Sequence, residues 1–265
     1  MRNRDRTRRL ALECVFLAAA VACSNGPSSL QSGSDVAPEP GPGDEILLQD
    51  SFDAGTVTEQ LAHYGSAGDF SLTTGRTGNA IRVSYNAGSW NTNTFGTSLS
   101  SVATDAYYRY WYRLSPGADP TCGEKNWSGF KWFMTHRAND VRYTHGVSML
   151  TGGPPGHENM GLEFTTHDQS SQREPNPFAE NVNKAKRFNT TNDGSWHEYT
   201  IHIVTGNGGY EQIWIDGLKV LDSQSYAYDH SAGGIESISL PGTMVQWYSG
   251  CDFTVDIDDL VVWRK

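Results

Sequence analysis

From Ile46 onward, apolar and polar positions alternate with a period of two in short runs, and each run is bounded by Gly, Asn, Asp or Pro. Such alternation puts successive side chains on opposite faces of a strand, so the pattern predicts β-structure. The predicted strands are Ala80–Tyr85, Ala106–Leu114, Gly129–His136, Tyr143–Leu150, Met160–Thr166, His197–Val204, Tyr210–Asp216 and Asp252–Trp263. Asp216-Gly217, between Gln212–Ile215 and Leu218–Leu221, is a hairpin-turn signal. No stretch carries the period of a long amphipathic helix. Many short strands separated by turn signals predict an all-β sandwich. Ser170–Asn183, with two prolines and few apolar positions, reads as a long surface loop of the kind that often carries function.

The alternation also assigns faces. In Gly129–Arg137, Phe130, Trp132 and Met134 suit a core, which puts Lys131, Thr135 and Arg137 on the other side. Tyr143, Val147 and Met149 suit the core of the next strand, leaving Arg142, Thr144 and Ser148 outside. Leu162 and Phe164 are expected inside, with Glu163, Thr165 and His167 outside. Tyr199, Ile201 and Ile203 point in, with Glu198, Thr200 and His202 out. Ile213 and Ile215 point in, with Gln212, Trp214 and Asp216 out.

The N-terminus breaks the pattern. Arg2, Arg4, Arg6, Arg8 and Arg9 precede an apolar stretch, Leu10 to Ala22, interrupted by Glu13. A basic head, a short apolar run and small residues before a cut site describe a secretory signal, residues 1–22. The stretch is too short to span a bilayer. Ala20-Val21-Ala22-Cys23 resembles the lipobox of bacterial lipoproteins, which implies lipidation at Cys23; plain secretion is the alternative. Residues 23–45, rich in Ser, Gly, Pro and acids, are expected to be a flexible tether ahead of a single domain, 46–265. An exported, membrane-anchored or secreted protein follows. Cys14 falls in the removed segment, and Cys122 and Cys251 remain as an even pair in an oxidising compartment, where a disulfide is the natural reading.

Net charge is −10 over 265 residues, and loss of residues 1–22, with five arginines and two acids, leaves −13. That balance argues against a general nucleic-acid binder. On an acidic body the outward set Lys131, Arg137, Arg142, Glu163, His167, His202, Gln212 and Trp214 is a local exception. It points to an anionic glycan, with Trp214 offering a ring on which a sugar can stack. Ordinary solvated side chains on an exposed sheet face account for the same residues equally well.

Asp50-Ser51-Phe52-Asp53, Gly78-Asn79-Ala80-Ile81-Arg82-Val83, the aromatic run Tyr108–Leu114, Gly194–Tyr199, Gln212–Gly217 and the closing Val255–Trp263 come in an order that resembles the concanavalin A-like jelly roll. Within that fold the order is similar to laminin-G-like modules and to polysaccharide lyases of the glucuronan and heparin lyase type. The resemblance implies that Tyr107 faces Trp263 in an antiparallel pair, which would bring Cys122 and Cys251 near the open ends of those two strands. It also implies a glycan-binding sheet face and, for a lyase, β-elimination beside a uronate carboxylate. His202 or His167 would take the proton, Arg137 and Gln212 would neutralise the carboxylate, and Lys131, Arg142, Glu163 and Trp214 would bind the chain. The Arg-containing and Gln-x-His strand motifs of alginate lyases are absent, so a non-catalytic glycan- or protein-binding module stays open beside the lyase. Asp256, Asp258 and Asp259 do not match the acid spacing of the glucanases of this fold. Asp50, Asp53, Asp256 and Asp258 are the candidate ligands for a structural calcium, with turn and capping bonds as the alternative. No cofactor is otherwise expected, and the protein is expected to be a monomer.

Overall fold

The structure, a computed structural model, describes residues 36–54, 56, 69–86, 95–116, 128–137, 140–151, 161–167, 193–205, 210–223, 234–240 and 252–265. Among them are thirteen strands and no helix: β1 (Glu45–Asp50), β2 (Asp69–Thr74), β3 (Asn79–Tyr85), β4 (Phe95–Ala103), β5 (Asp105–Leu114), β6 (Ser128–Arg137), β7 (Asp140–Thr151), β8 (Gly161–His167), β9 (His197–Val204), β10 (Tyr210–Ile215), β11 (Leu218–Ser223), β12 (Ile235–Leu240) and β13 (Phe253–Arg264). Every pairing is antiparallel. One sheet runs β11-β10-β9-β5-β13-β3-β2 with β1 also on β13, and the other runs β4-β12-β6-β7-β8.

β13 is long enough to serve two partners on one side. Phe253–Ile257 pair with β3, and Leu260–Arg264 pair with β1. On its other side it pairs with β5, and Tyr107 faces Trp263 as the resemblance implied. Between Asp258 and Val261 the register slips by one residue, a bulge in which Asp259 adopts φ 48°. The β10–β11 hairpin turns on Asp216 and Gly217, both at positive φ (50° and 74°), the two left-handed positions that a tight Asp-Gly turn requires.

Between the sheets lies a core rich in tyrosine. Tyr108, Tyr110 and Tyr112 alternate along β5 on its inner side, joined by Tyr85, Tyr199, Ile201, Ile203, Ile213, Val255 and Ile257. Phe133 of the five-stranded sheet closes it, edge-on to Tyr108 at 5.2 Å and stacked on Tyr110 at 6.1 Å. The inward assignments of β9 and β10 are thus as the alternation predicted. That of β6 is not: Thr135, expected outside, is fully buried beside Phe133. The reason is a second bulge. Lys131 faces Ser148, but Phe133 faces Val147, so one extra residue on β6 inverts the alternation downstream.

Residues 36–44, ahead of position 46, also contact the sheet. Ser34–Lys265 cluster as one compact unit. Val36 makes an antiparallel bridge to Leu218, Glu39 pairs with Arg109, and Gly41 and Asp44 close a turn into β1. The latter part of the expected tether is therefore ordered, and it crosses the outer face of the eight-stranded sheet from β11 to β13. Residues 1–22, expected to be a signal, and Cys23, Cys122, Cys251 and Ser170–Asn183 lie outside the described residues.

Candidate functional site

The sequence-predicted outward set is divided between the sheets. Lys131 and Arg137 are on β6, Arg142 on β7, and Glu163 and His167 on β8, all in the five-stranded sheet; His202 is on β9, and Gln212 and Trp214 are on β10 of the other. A single groove on one sheet face cannot hold both groups.

On the five-stranded sheet, register gathers the chemistry. Lys131, Ser148 and Glu163 stand opposite one another across β6, β7 and β8, and His136, Thr144 and His167 do the same. Arg142 precedes Thr144 by two residues on β7, and Arg137 lies at the β6 end, facing Asp140. The His136 side chain is half-buried on the side away from Phe133 and Thr135, with Nε2 2.8 Å from Ser239 Oγ on β12. Because a bulge separates Lys131 from His136, these two rows fall into step despite their odd spacing in sequence.

On the eight-stranded sheet the outward residues are not solvated. His202 and Trp214 are each only 3% exposed and Gln212 only 9%. His202 Nε2 lies 2.8 Å from Asp105 Oδ1 and Nδ1 lies 3.3 Å from Gln212 Oε1, while Gln212 Nε2 donates to Asp222 Oδ2 at 3.3 Å. The imidazole stacks on Tyr107 at 3.8 Å, and Tyr107 stacks on Trp263 at 5.2 Å. Burial, with the nearby Asp105 carboxylate second, pushes the Tyr107 hydroxyl up to about 12. Lys219 sits 5.3 Å over the Trp214 ring. His202, Gln212 and Trp214, expected to face a glycan, are buried instead: both ring nitrogens of His202 and the Gln212 amide have internal partners, Lys219 covers the Trp214 ring, and residues 36–44 cross their sheet face.

The four candidate calcium ligands do not converge, and no cluster of three metal-binding side chains occurs among the described residues. Asp50 accepts from Phe52 N, and Asp53 accepts from Asn79 N, both at 2.7 Å. Asp258 accepts from Arg76 N at 2.7 Å and Asp259 N at 2.8 Å. Asp53 and Asp258 thus hold the two ends of the β2–β3 turn, where a side chain at Gly75 would meet the Asp258 carboxylate at 2.5 Å. Burial raises the Asp258 carboxyl above the ordinary aspartate value, against the pull of its backbone donors.

Asp256 is the fourth, and it is an ion-pair hub. Its side chain is 2% exposed and accepts from Arg82 Nε at 2.6 Å and Nη2 at 2.8 Å, and from Arg113 Nε at 2.8 Å. Arg113 Nη2 also reaches Thr74 O at 3.1 Å, and its guanidinium lies 4.4 Å over the Trp196 ring. A cavity of about 350 Å³ opens beside this cluster, lined by Arg82, Arg113, Ser115, Gly194, Thr254 and Asp256 among others. A smaller one of about 240 Å³ lies farther along β13, where Arg76 covers Trp111 at 4.3 Å and pairs with Asp259 at 2.9 Å.

No protein-family model matches the chain, and no curated protein matches it by sequence. Solved structures do match. The alginate lyase Aly36B superposes with a TM-score of 0.52 at 15% identity, over 82% of this chain and 96% of that one. An Aly36B mutant in complex with alginate trisaccharide gives 0.50 at 14% identity, over 81% and 96%. The alginate lyase vAL-1 from Chlorella virus gives 0.52 at 10% identity, over 83% and 100%. The fold is the concanavalin A-like jelly roll.

Identity this low carries the jelly roll and not the reaction, because one such scaffold hosts many sites. Within this jelly roll, sequence reasoning missed four polar residues of interest. Strand alternation puts His136 on the core side with Phe130, Trp132 and Met134, and its true face is readable only once the β6 bulge is known. Arg82, Arg113 and Trp196 were passed over although a signal existed: Arg109, Trp111 and Arg113 occupy every second position of β5, the side opposite the tyrosines.

Proposed function

We propose that the outer face of the five-stranded sheet is a polysaccharide site, and that the protein cleaves an acidic glycan there by β-elimination. The observation that carries this reading is the register row His136–Thr144–His167, which sets two imidazoles on one face of the sheet, with Lys131–Ser148–Glu163 forming a second row on the same face four residues farther along β7. The jelly-roll likeness to alginate lyases supports it as a fold-level analogy.

In that reaction a base removes the C5 proton of a uronate. The electron pair forms the C4–C5 double bond, the C4–O bond breaks, and the departing oxygen takes a proton. Arg142, two positions from Thr144 along β7, neutralises the carboxylate as charge develops next to C5, and Lys131 binds the glycan farther along the sheet. His136 or His167 serves as the base, its ordinary pKa lying near neutrality. Ser239 at 2.8 Å orients the His136 ring. Action outside the cell fits the signal-like N-terminus and Cys23.

The test is incubation with polymannuronate, polyguluronate and glucuronan, following ultraviolet absorbance of the unsaturated product. Product that vanishes in Lys131→Ala and His136→Ala is expected. Absence of product with every uronate polymer, with binding retained, would establish the second reading, a non-catalytic glycan-binding module.

A further inference from the structure

We infer that the cavity beside Arg82, Asp256 and Arg113, on the opposite sheet, is a separate subsite that takes the carboxylate of a uronate residue. The position follows from the backbone. Ser71, Arg82, Asp256 and Arg113 form one register row across β2, β3, β13 and β5. The row stands on the outer face, because Tyr112 and Leu114 beside Arg113, and Val255 and Ile257 beside Asp256, are in the core.

Charge bookkeeping gives the ligand its sign. Two guanidiniums share one carboxylate, and neither pairs with a second one among the described residues. One positive charge is left over on a chain whose total is −10. The donor count agrees. Arg82 uses Nε and Nη2 on Asp256, and Arg113 uses Nε and Nη2 on Asp256 and Thr74 O. Neither Nη1 has a partner among the described residues, so two guanidinium edges remain to meet a planar anion, the geometry at which arginine excels.

The site is also held in advance. Trp196 braces Arg113 from one side, and Asp256, almost wholly buried, fixes both arginines by two-point contacts. Arginines already immobilised lose little side-chain entropy when a ligand arrives. The cavity of about 350 Å³ is at the small end of ligand pockets, which suits one or two sugar rings better than an extended chain. Ser115 and Thr254 supply hydroxyls at its wall, as a polyol ligand requires.

Only the choice of a uronate over another carboxylate rests on the function proposed above; the anion site stands on its own geometry. The test is calorimetric titration of the full chain with glucuronate and mannuronate tetrasaccharides, cellotetraose as the neutral counterpart, and acetate as a simple anion. Three variants are compared. Thr254→Tyr fills the cavity and leaves the ion-pair cluster intact. Arg113→Gln removes the surplus charge and leaves Asp256 paired with Arg82. His136→Ala disables only the other sheet. The expected result is a uronate-binding event that the first two variants weaken at least tenfold and the third retains, distinct from any event on the other sheet; it weakens with salt and is not seen with cellotetraose. The absence of any uronate-binding event lost in Thr254→Tyr and Arg113→Gln, or an equal event with cellotetraose, overturns the inference. If His136→Ala alone abolishes binding, the inference fails and the proposed function stands. If Thr254→Tyr abolishes binding while no uronate polymer is cleaved, the inference stands and the lyase reading falls.

Discussion

The outer faces of the two sheets carry similar residues and use them in opposite ways. On the eight-stranded sheet, His202 is buried between Asp105 and Gln212 and stacked on Tyr107. On the five-stranded sheet, His136 is half-buried, with Nε2 2.8 Å from Ser239 Oγ. Once the β6 bulge is counted, strand alternation treats the two histidines alike, since it reports only which side of a sheet a residue is on. What lies over that side is a tertiary matter. Residues 36–44 cross the first face, tied by the Val36–Leu218 bridge and the Glu39–Arg109 pair, and turn outward-facing polar groups into an internal network.

The sharpest way to break the comparison is to treat both histidines identically. His136→Ala is expected to lower turnover on a uronate polymer by about a hundredfold or more, the usual worth of a positioned acid–base group. Its urea midpoint should change little. His202→Ala should do the reverse: turnover unchanged, and stability lowered by about 1–3 kcal/mol as Asp105 and Gln212 lose a buried partner. Equal loss of turnover in both variants would mean that the faces have been assigned the wrong roles.

The next effect probes a single carboxylate. Asp256→Ala removes the shared partner of Arg82 and Arg113 and leaves two partly buried guanidiniums facing each other. Removing one partner of a buried ion pair costs about 3–5 kcal/mol. Because both arginines keep some exposure (35% and 24%), the lower end is expected in a denaturant melt. Asp222→Ala, on an exposed acid of the same sheet, should cost under about 1 kcal/mol. A similar cost for both would remove the hub role of Asp256.

Much of this fold was legible because burial and alternation coincide. Tyr199, Ile201, Ile203, Ile213 and Ile215 were assigned inward and are in the core. The facing of Tyr107 and Trp263 came from the resemblance and is present. β1, β2, β4 and β12 were not named: DFSLTT, FGTSLSSVA and IESISL offer few apolar residues, and β1, β2 and β4 have one neighbour each. The site was legible only in part. One extra residue on β6 inverts its faces, and no pattern of apolar residues announces a bulge. The division of the candidate set between two sheets is a property of topology, which alternation does not encode. The aspartates of β13 were legible as structural residues, but not their partners, which are more than 140 residues away in the chain for Arg82 and Arg113.

A smaller effect separates backbone strain from charge. Gly78 has φ +66°, and a methyl there would collide with the Asp53 carboxylate that holds Asn79 N. Gly78→Ala should therefore cost at least about 1–2 kcal/mol from the left-handed backbone alone. At Gly43 nothing lies within 4 Å and no left-handed angle is required, so Gly43→Ala should be close to neutral in the same melt.

The smallest expected effect is a difference between two aspartates that both accept backbone N–H groups. Asp258, partly buried under the β2–β3 turn, is raised above 3.8 by desolvation. Asp193, exposed and bonded to Ser195 N at 2.7 Å, is lowered below 3.8 by that bond. The consequences for stability have opposite sign. A raised carboxyl favours the proton in the folded state, so its stabilisation is complete below 3.8 and is lost as pH rises through the folded value. A lowered carboxyl contributes above 3.8 and loses its contribution as pH falls through the folded value. Carboxyl carbon shifts followed by NMR across the acid range should show Asp258 titrating above 3.8 and Asp193 below it. The Asp258→Asn variant should lose the upper step and keep the lower one. Coincident midpoints would mean that the buried turn is as wet as the exposed one, and that burial is not what distinguishes them.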